Sequence, residues 1–447
     1  MPALLGCVLL LGCRGLPDQQ LAREALRRGD SETARQNFQA LASRGYAEAR
    51  IALGDMDADS RDPRRLAEAE SLYRQAAPAS LKAQARLGGL LVRQDSAGDA
   101  QLKEAEGLLT QAIARGEYSA VVPLTLLYLS APRLSPPGSL QQRVDGWRAQ
   151  GIAEAELAQI LIYRSEGRYA EHLEPIAQAC RALLPRQDAC YVELATVNRL
   201  RQQPQAALLR DLRAAYARRQ VAASRVESVA LALADPDIPA PAEPEQARAL
   251  LEEIAPVYPG AWASLARLLY DYPALGGREA LLGYLERGRA VGDSRAELLT
   301  GRLYYEGREL PQDPRQAEAH LLKAAAEQPE AHYYLGQLYR RGYLGAVQPQ
   351  PAVDHLLRAA RAGHGAADLA LAQLFSEARG VRVDRVSAYV FARLASGQAQ
   401  PEAAGVLATL EAGMTPAERQ QALQILDEER GARRWASLRL ARVQAQH

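Results

Sequence analysis

Alanine, leucine and glycine recur along this chain with a period near 35 residues. From Ala296 the sequence runs AELLTGRLYYEGRELPQDPRQAEAHLLKAAA, and comparable stretches begin 35 residues later at Ala331 and a further 36 later at Ala367. Each copy places a small residue five positions after its first alanine and an aromatic eight positions after it: Gly301 and Tyr304, Gly336 and Tyr339, Ala372 and Phe375. Alanines return at +21 (Ala317, Ala352, Ala388) and +28 (Ala324, Ala359, Ala395). The weaker pattern Ala-x-x-x-Leu-small carries the same phase back through Ala261, Arg225, Cys190, Ala153, Ala120, Ala83 and Ala49. The ten anchors therefore stand 33 to 37 residues apart. A regular period of this length is the mark of a stacked repeat.

Each period predicts two helices. The small residue on helix A lets its partner come close, the aromatic one turn on fills the space between layers, and helix B repeats the device with paired alanines. Neither helix can bury its apolar stripe alone, so neighbouring pairs must stack. Glycines close helices (Gly29, Gly45, Gly116, Gly307, Gly342, Gly363), and Asp62-Pro63, Asp235-Pro236 and Asp313-Pro314 open them. The proline-rich stretches 131–138 and 236–244 lengthen loops. Thr415-Pro416-Ala417-Glu418 reads as a capping box that opens a final helix. The organisation expected is a signal peptide over 1–12, a tether over 13–17, the repeats over 18–411 and a terminal capping helix over 412–447. The fold class is all-α: a right-handed α-α superhelix, or solenoid, of about ten helix pairs.

With 54 basic against 53 acidic residues the chain carries a formal charge of +1, which excludes a strongly basic nucleic-acid binder. Its aromatics are 19 Tyr, 3 Trp and 3 Phe, so nearly every large ring has a polar handle suited to half-buried positions. GxSxG, HExxH, P-loop and dinucleotide-binding motifs are absent, and the four cysteines show no zinc spacing. No catalytic residue, cofactor or metal is expected. His320 and His355 occupy the slot filled by Phe391 in the last copy, which marks them as packing residues. His332 and His364 have no carboxylate spaced to orient them.

MPALLGCVLLLG followed by Cys13 and Arg14 resembles a bacterial lipobox, with Cys7 as the alternative acylation site. The run is shorter than the usual signal of about 15–30 residues and lacks a basic residue, as a truncated signal would. Acylation of Cys13 would anchor the chain to a membrane, and Arg14 in the next position resembles the pattern that permits sorting to the outer membrane. The folded part would then lie in the periplasm. Cys180 and Cys190 flank a turn, and an oxidising compartment leaves two readings open for them, a disulfide or two separately buried thiols.

The phasing of small residues, with glycine at the A-helix turn, resembles the Sel-like subclass of tetratricopeptide repeats. Gly15–Asp30, Ala34–Asp55 and Arg61–Ala77 (GLPDQQLAREALRRGD, ARQNFQALASRGYAEARIALGD, RDPRRLAEAESLYRQAA) resemble the AlgK family of alginate-export lipoproteins, over essentially the whole chain. That resemblance implies a non-catalytic scaffold in the alginate synthesis and secretion complex, on the periplasmic face of the outer membrane. It also implies partners: the outer-membrane alginate porin and the periplasmic alginate acetylation protein. Contact with alginate itself stays open. Two rival readings are a scaffold for another exopolysaccharide exporter and a soluble Sel-repeat regulatory adaptor. Tyr305, Tyr333, Tyr334 and Tyr343 are the candidate docking residues, since tyrosine is favoured at interfaces; filler between repeats with the hydroxyl at solvent and a sugar-stacking site are the other readings. Arg433 and Arg434 on the last helix read as a solvated face or as contacts to an acidic partner or lipid headgroups.

Overall fold

The computed structural model describes residues 18–446 apart from 28–29, 59–62, 95–97, 136–137, 185, 377–381 and 399; within helices it leaves aside the side chains of 27, 63, 431–432 and 434–446. Cys7, Cys13, Arg14 and the side chain of Arg434 lie outside the described residues. Among those described there are 24 α-helices, four short 3-10 turns and no strand. None of the described helices is long and apolar enough to cross a membrane. The chain divides into two compact units, one ending at Leu87 and one beginning at Gly88.

All ten anchors fall where the repeat phase puts them. Ala49, Ala83, Cys190, Arg225, Ala261, Ala296, Ala331 and Ala367 lie in the first three positions of a helix, and Ala120 and Ala153 stand one residue ahead of one. The small residue of helix A is a cradle. A Cβ built on Gly301 would lie 2.7 Å from Leu321 Cγ, and one on Gly336 would lie 2.6 Å from Leu356 Cγ, with both leucines fully buried on helix B. In the first unit Gly54 meets Tyr73 in the same way, at 2.5 Å. Gly307 and Gly342 both adopt φ 69°, the left-handed conformation that ends a helix without steric cost to glycine.

Of the predicted helix openings, Asp62 lies outside the described residues, Asp313 and Thr415 cap helices as expected, and Asp235 does not. Asp313 caps the Pro314–Ala324 helix by accepting from the amides of Arg315 and Gln316. Thr415 and Glu418 form the reciprocal box, with Glu418 N–H donating to Thr415 Oγ1 at 3.3 Å and Thr415 N–H donating to Glu418 Oε2 at 2.8 Å. Asp235-Pro236 opens no helix. The Ala223–Ala234 helix ends there, and the next begins at Pro244 after a nine-residue connection. The reason is Arg199, which is 2% exposed and donates to the carbonyls of Ala232, Asp235, Ala240 and Pro241 at 2.6, 3.1, 2.9 and 3.2 Å. These carbonyls fold around one guanidinium instead of continuing a helical ladder.

Buried charge also ties layers together. Glu227 on the Ala223–Ala234 helix accepts from Tyr258, from Ser264 and from Arg295 of the Ser294–Glu306 helix, the tyrosine and arginine each at 3.0 Å. In the first unit Arg35 grips Asp57 through two 2.8 Å bonds. A buried carboxylate is tolerated only when its oxygens are satisfied in this way.

Candidate interaction surface

The excess of tyrosine over phenylalanine has a structural explanation. Tyr128 donates its hydroxyl to Glu106 at 2.9 Å, Tyr169 to Glu193 at 2.7 Å, Tyr258 to Glu227 at 3.0 Å, Tyr270 to Glu306 at 2.6 Å and Tyr339 to Glu318 at 2.7 Å. Each carboxylate belongs to a different helix from the ring or its neighbouring loop. The ring fills the gap between helices while the hydroxyl latches onto the next one, which phenylalanine cannot do. Burial, reinforced by the carboxylate, pushes the phenol of Tyr128 up to about 12 and raises the others in the same direction.

Tyr305, Tyr333 and Tyr334 depart from this rule. Their hydroxyls have no hydrogen-bond partner among the described residues, and the four tyrosines marked out by sequence come together as one continuous set of rings. Tyr343 lies 6.0 Å from Tyr305, Tyr305 lies 5.4 Å from Tyr334, and Tyr334 lies 5.2 Å from Tyr333. His364 extends the row by stacking on Tyr333 at 4.3 Å. The Ser294–Glu306 and Pro329–Arg341 helices supply the inner rings, while Tyr343 follows the Gly342 turn. Arg341 donates to the Tyr343 hydroxyl at 3.2 Å, and Arg302 lies over Tyr334 at 5.6 Å. Burial pushes Tyr305 up to about 12, so its phenol stays neutral beside the Arg341 guanidinium.

Exposure divides the set. Tyr343 is 40% exposed and Tyr305 and Tyr333 are half-buried, but Tyr334 is only 7% exposed. Tyr334 is a core residue that supports its neighbours, a correction to its choice as a docking residue. Arg433 needs the same correction. It is buried, and its Nη1 donates to both carboxylate oxygens of Asp368, far from a solvated face. Its own second carboxylate partner is Glu429, at 3.1 Å.

The histidines are packing residues with partners that sequence reading missed. His320 stacks on Tyr304 and its Nδ1 lies 2.6 Å from Glu297 Oε2. His332 and His355 face each other through their Nδ1 atoms at 2.8 Å. Burial, then the neighbouring His355, push His332 down to about 4. Both pairs join the residue after a repeat anchor to one 23 positions on. That constant offset was visible in the sequence. Cys180 and Cys190 are both buried, as free thiols. Among the described residues no three His, Cys, Asp or Glu side chains are grouped as a metal site.

Stacked helix pairs of this period, with glycine cradles and interlayer aromatics, define an α-solenoid of Sel-like tetratricopeptide repeats. A family model described as the AlgK tetratricopeptide repeat domain matches residues 172–255. Two curated relatives, both titled alginate biosynthesis protein AlgK, cover the chain almost entirely. The one from Pseudomonas aeruginosa is 55% identical over 95% of this chain and 90% of its own length. The one from Pseudomonas syringae pv. tomato is 48% identical over 97% and 93%. The chain belongs to the AlgK family. Among solved structures, a protective antigen of uropathogenic Escherichia coli with an SLR fold is 20% identical, with coverage of 96% and 94% and a TM-score of 0.44.

Proposed function

We propose that the chain is a non-catalytic scaffold of the alginate synthesis and secretion complex, held by an acylated Cys13 at the periplasmic face of the outer membrane. The family membership supports the alginate role. The observation that carries the scaffold reading is the row of rings from Tyr343 to His364, where hydroxyls lie without the carboxylates that other tyrosines hold. Half-buried rings beside Arg341 offer rigid amphipathic area at small entropic cost, as protein interfaces do. In this reading the row docks a periplasmic partner, the acetylation protein, while the lipid and the remaining repeats help place the alginate porin.

Two measurements test it. Radiolabelled palmitate should enter the chain expressed in its own host and should be lost on Cys13→Ser; label that persists unless Cys7 is replaced would move the anchor. Pull-down of the acetylation protein and the porin should fall at least ten-fold for the first partner in Tyr305→Ala/Tyr333→Ala/Tyr343→Ala. Recovery equal to the parent, with unchanged circular dichroism, would remove these rings from the interface.

A further inference from the structure

The final helix, Pro416–Gln446, has 31 residues and is the longest of those described, about 46 Å at 1.5 Å per residue. Its first part is tied to the last repeats. Thr415 and Glu418 cap its start, Glu429 accepts from Arg361 of the Pro349–Arg361 helix at 2.8 Å, and Arg433 is held by Asp368 of the Gly365–Ser376 helix. Thirteen residues follow Arg433 in the same helix, enough to reach about 20 Å further.

The backbone of this helix also comes within 8 Å, Cα to Cα, of two helices far upstream, Val121–Ser130 and Glu154–Ser165. The repeats anchored at Cys190, Arg225, Ala261, Ala296, Ala331 and Ala367 all lie between. In a solenoid each repeat touches its neighbours, so a contact across this distance closes the coil on itself. All three helices belong to the unit that begins at Gly88.

Charge and polarity suit the contact. The stretch 434–446 contains three arginines and no carboxylate. The Val121–Ser130 helix reads VVPLTLLYLS, without a charged residue, and its Val122, Pro123 and Leu129 are only half-buried. Glu154 and Glu156 stand in the first turn of the Glu154–Ser165 helix. Arg148 holds Glu156 at 2.9 Å, whereas Glu154 accepts from Gln187 at 3.2 Å and meets no cation among the described residues. An apolar helix beside a carboxylate that lacks a cation complements a basic helix end.

We propose that the end of the final helix is a strap: residues 434–446 dock on the surface formed by the Val121–Ser130 and Glu154–Ser165 helices and hold the superhelix closed. The partner this surface fits is the basic end of its own chain. The packed repeats between them present the strap at high effective concentration, so a contact too weak to join two separate molecules suffices within one. The consequence is mechanical. The curvature of a solenoid follows from small rotations at every interface, and a strap across the coil fixes their sum and with it the spacing of any partners bound along the repeats. While docked, it also covers part of the two upstream helices.

Photo-crosslinking of the full chain tests the strap. p-Benzoylphenylalanine replaces Leu438, Arg439, Leu440 and Ala441 in turn, four successive positions that sample every side of a helix. The dilute chain is irradiated, and the joined peptides are identified by mass spectrometry. Links should fall on 121–130 and 154–165 in product of monomer size. Links confined to the last repeats, or found only in product of dimer size, overturn the proposal. Arg434→Glu/Arg439→Glu/Arg442→Glu keeps good helix formers but makes the strap acidic, and it should cut the yield of these links roughly ten-fold with unchanged circular dichroism. Undiminished links in this variant would overturn the charge pairing. Small-angle X-ray scattering of the same variant should give a larger radius of gyration than the parent. An unchanged radius after loss of the links would overturn the closing role.

Discussion

Asp368 and Arg433 stand 65 residues apart and meet in an ion pair in which Arg433 Nη1 donates to both carboxylate oxygens at 2.6 and 2.8 Å, with the carboxylate wholly shielded from solvent. Asp368 follows a repeat anchor, the position that holds Glu297 and His332 in the two preceding copies. In those copies the residue 23 positions on answers it with His320 or His355. In the last copy that place is Phe391, which offers no hydrogen bond, and the terminal helix supplies Arg433 over the Phe391 ring instead. The last helix is therefore joined to the stack by a charge that completes the final repeat.

Removing one partner should cost far more than removing both. Arg433→Met leaves a buried carboxylate unpaired, a loss of about 3–5 kcal/mol, whereas Asp368→Leu/Arg433→Met should recover most of it. Hydrogen exchange across 416–430 is the measurement. At about 3 kcal/mol the single variant loses roughly a hundred-fold in protection. Equal loss in the single and double variants would contradict the account.

Acid should weaken the contact between the Pro329–Arg341 and Pro349–Arg361 helices. His332 is held down to about 4 by burial, His355 and Arg358, and His355 is lowered as well by burial and Arg358. A histidine whose folded value lies below its unfolded value of about 6.5 binds more protons when unfolded. The stability it contributes is therefore full above pH 6.5 and declines as pH falls from there toward 4. Melting temperature followed from pH 7.5 to 4.5 should drop, and His332→Gln should flatten the drop.

The glycine cradle admits a paired test. Gly336→Ala puts a methyl 2.6 Å from buried Leu356 Cγ and 3.3 Å from the Ala352 carbonyl, so it should destabilise by about 1–3 kcal/mol. Gly107→Ala, on an exposed helical position with nothing within 4 Å, should stabilise by about 0.5–1 kcal/mol. Denaturant midpoints of the two variants should move in opposite directions.

Arg199 predicts a local failure. Arg199→Met leaves the carbonyls of Ala232, Asp235, Ala240 and Pro241 without their shared donor, at a cost of about 2–4 kcal/mol. Limited proteolysis should show new cleavage between 235 and 243 before any other site opens. Arg199→Lys should rescue only in part, because an ammonium cannot span the four oxygens as a planar guanidinium does.

Hydroxyl deletion separates structural from docking tyrosines. Tyr339→Phe strips the Glu318 carboxylate of its donor and should cost about 1 kcal/mol, while Tyr333→Phe should leave the melting temperature unchanged. Thermal unfolding of the two variants side by side decides it. A cost for Tyr333→Phe as large as that for Tyr339→Phe would mean that its hydroxyl is held after all.

What the linear sequence determined by itself is the period, the alternation of A and B helices, the glycine cradles and most of the caps. All of these arise from contacts within a repeat or between adjacent ones, so each leaves a mark that returns every 35 residues or so. Tyr305, Tyr333 and Tyr343 were legible as tyrosines of neighbouring repeats, but they stand at different positions after their anchors, so the structure and not the period brought their rings together. Only the tertiary structure decided that Tyr334 is core, because two tyrosines adjacent in sequence point to different sides of a helix packed on both flanks. It alone showed that Arg433 is buried and that Arg199 gathers the connection after Asp235, since such bonds join positions of unrelated phase. A periodic pattern records the contacts that repeat. Partners that occur once leave no periodic trace and are chosen by whichever side chain can reach a buried charge and satisfy it.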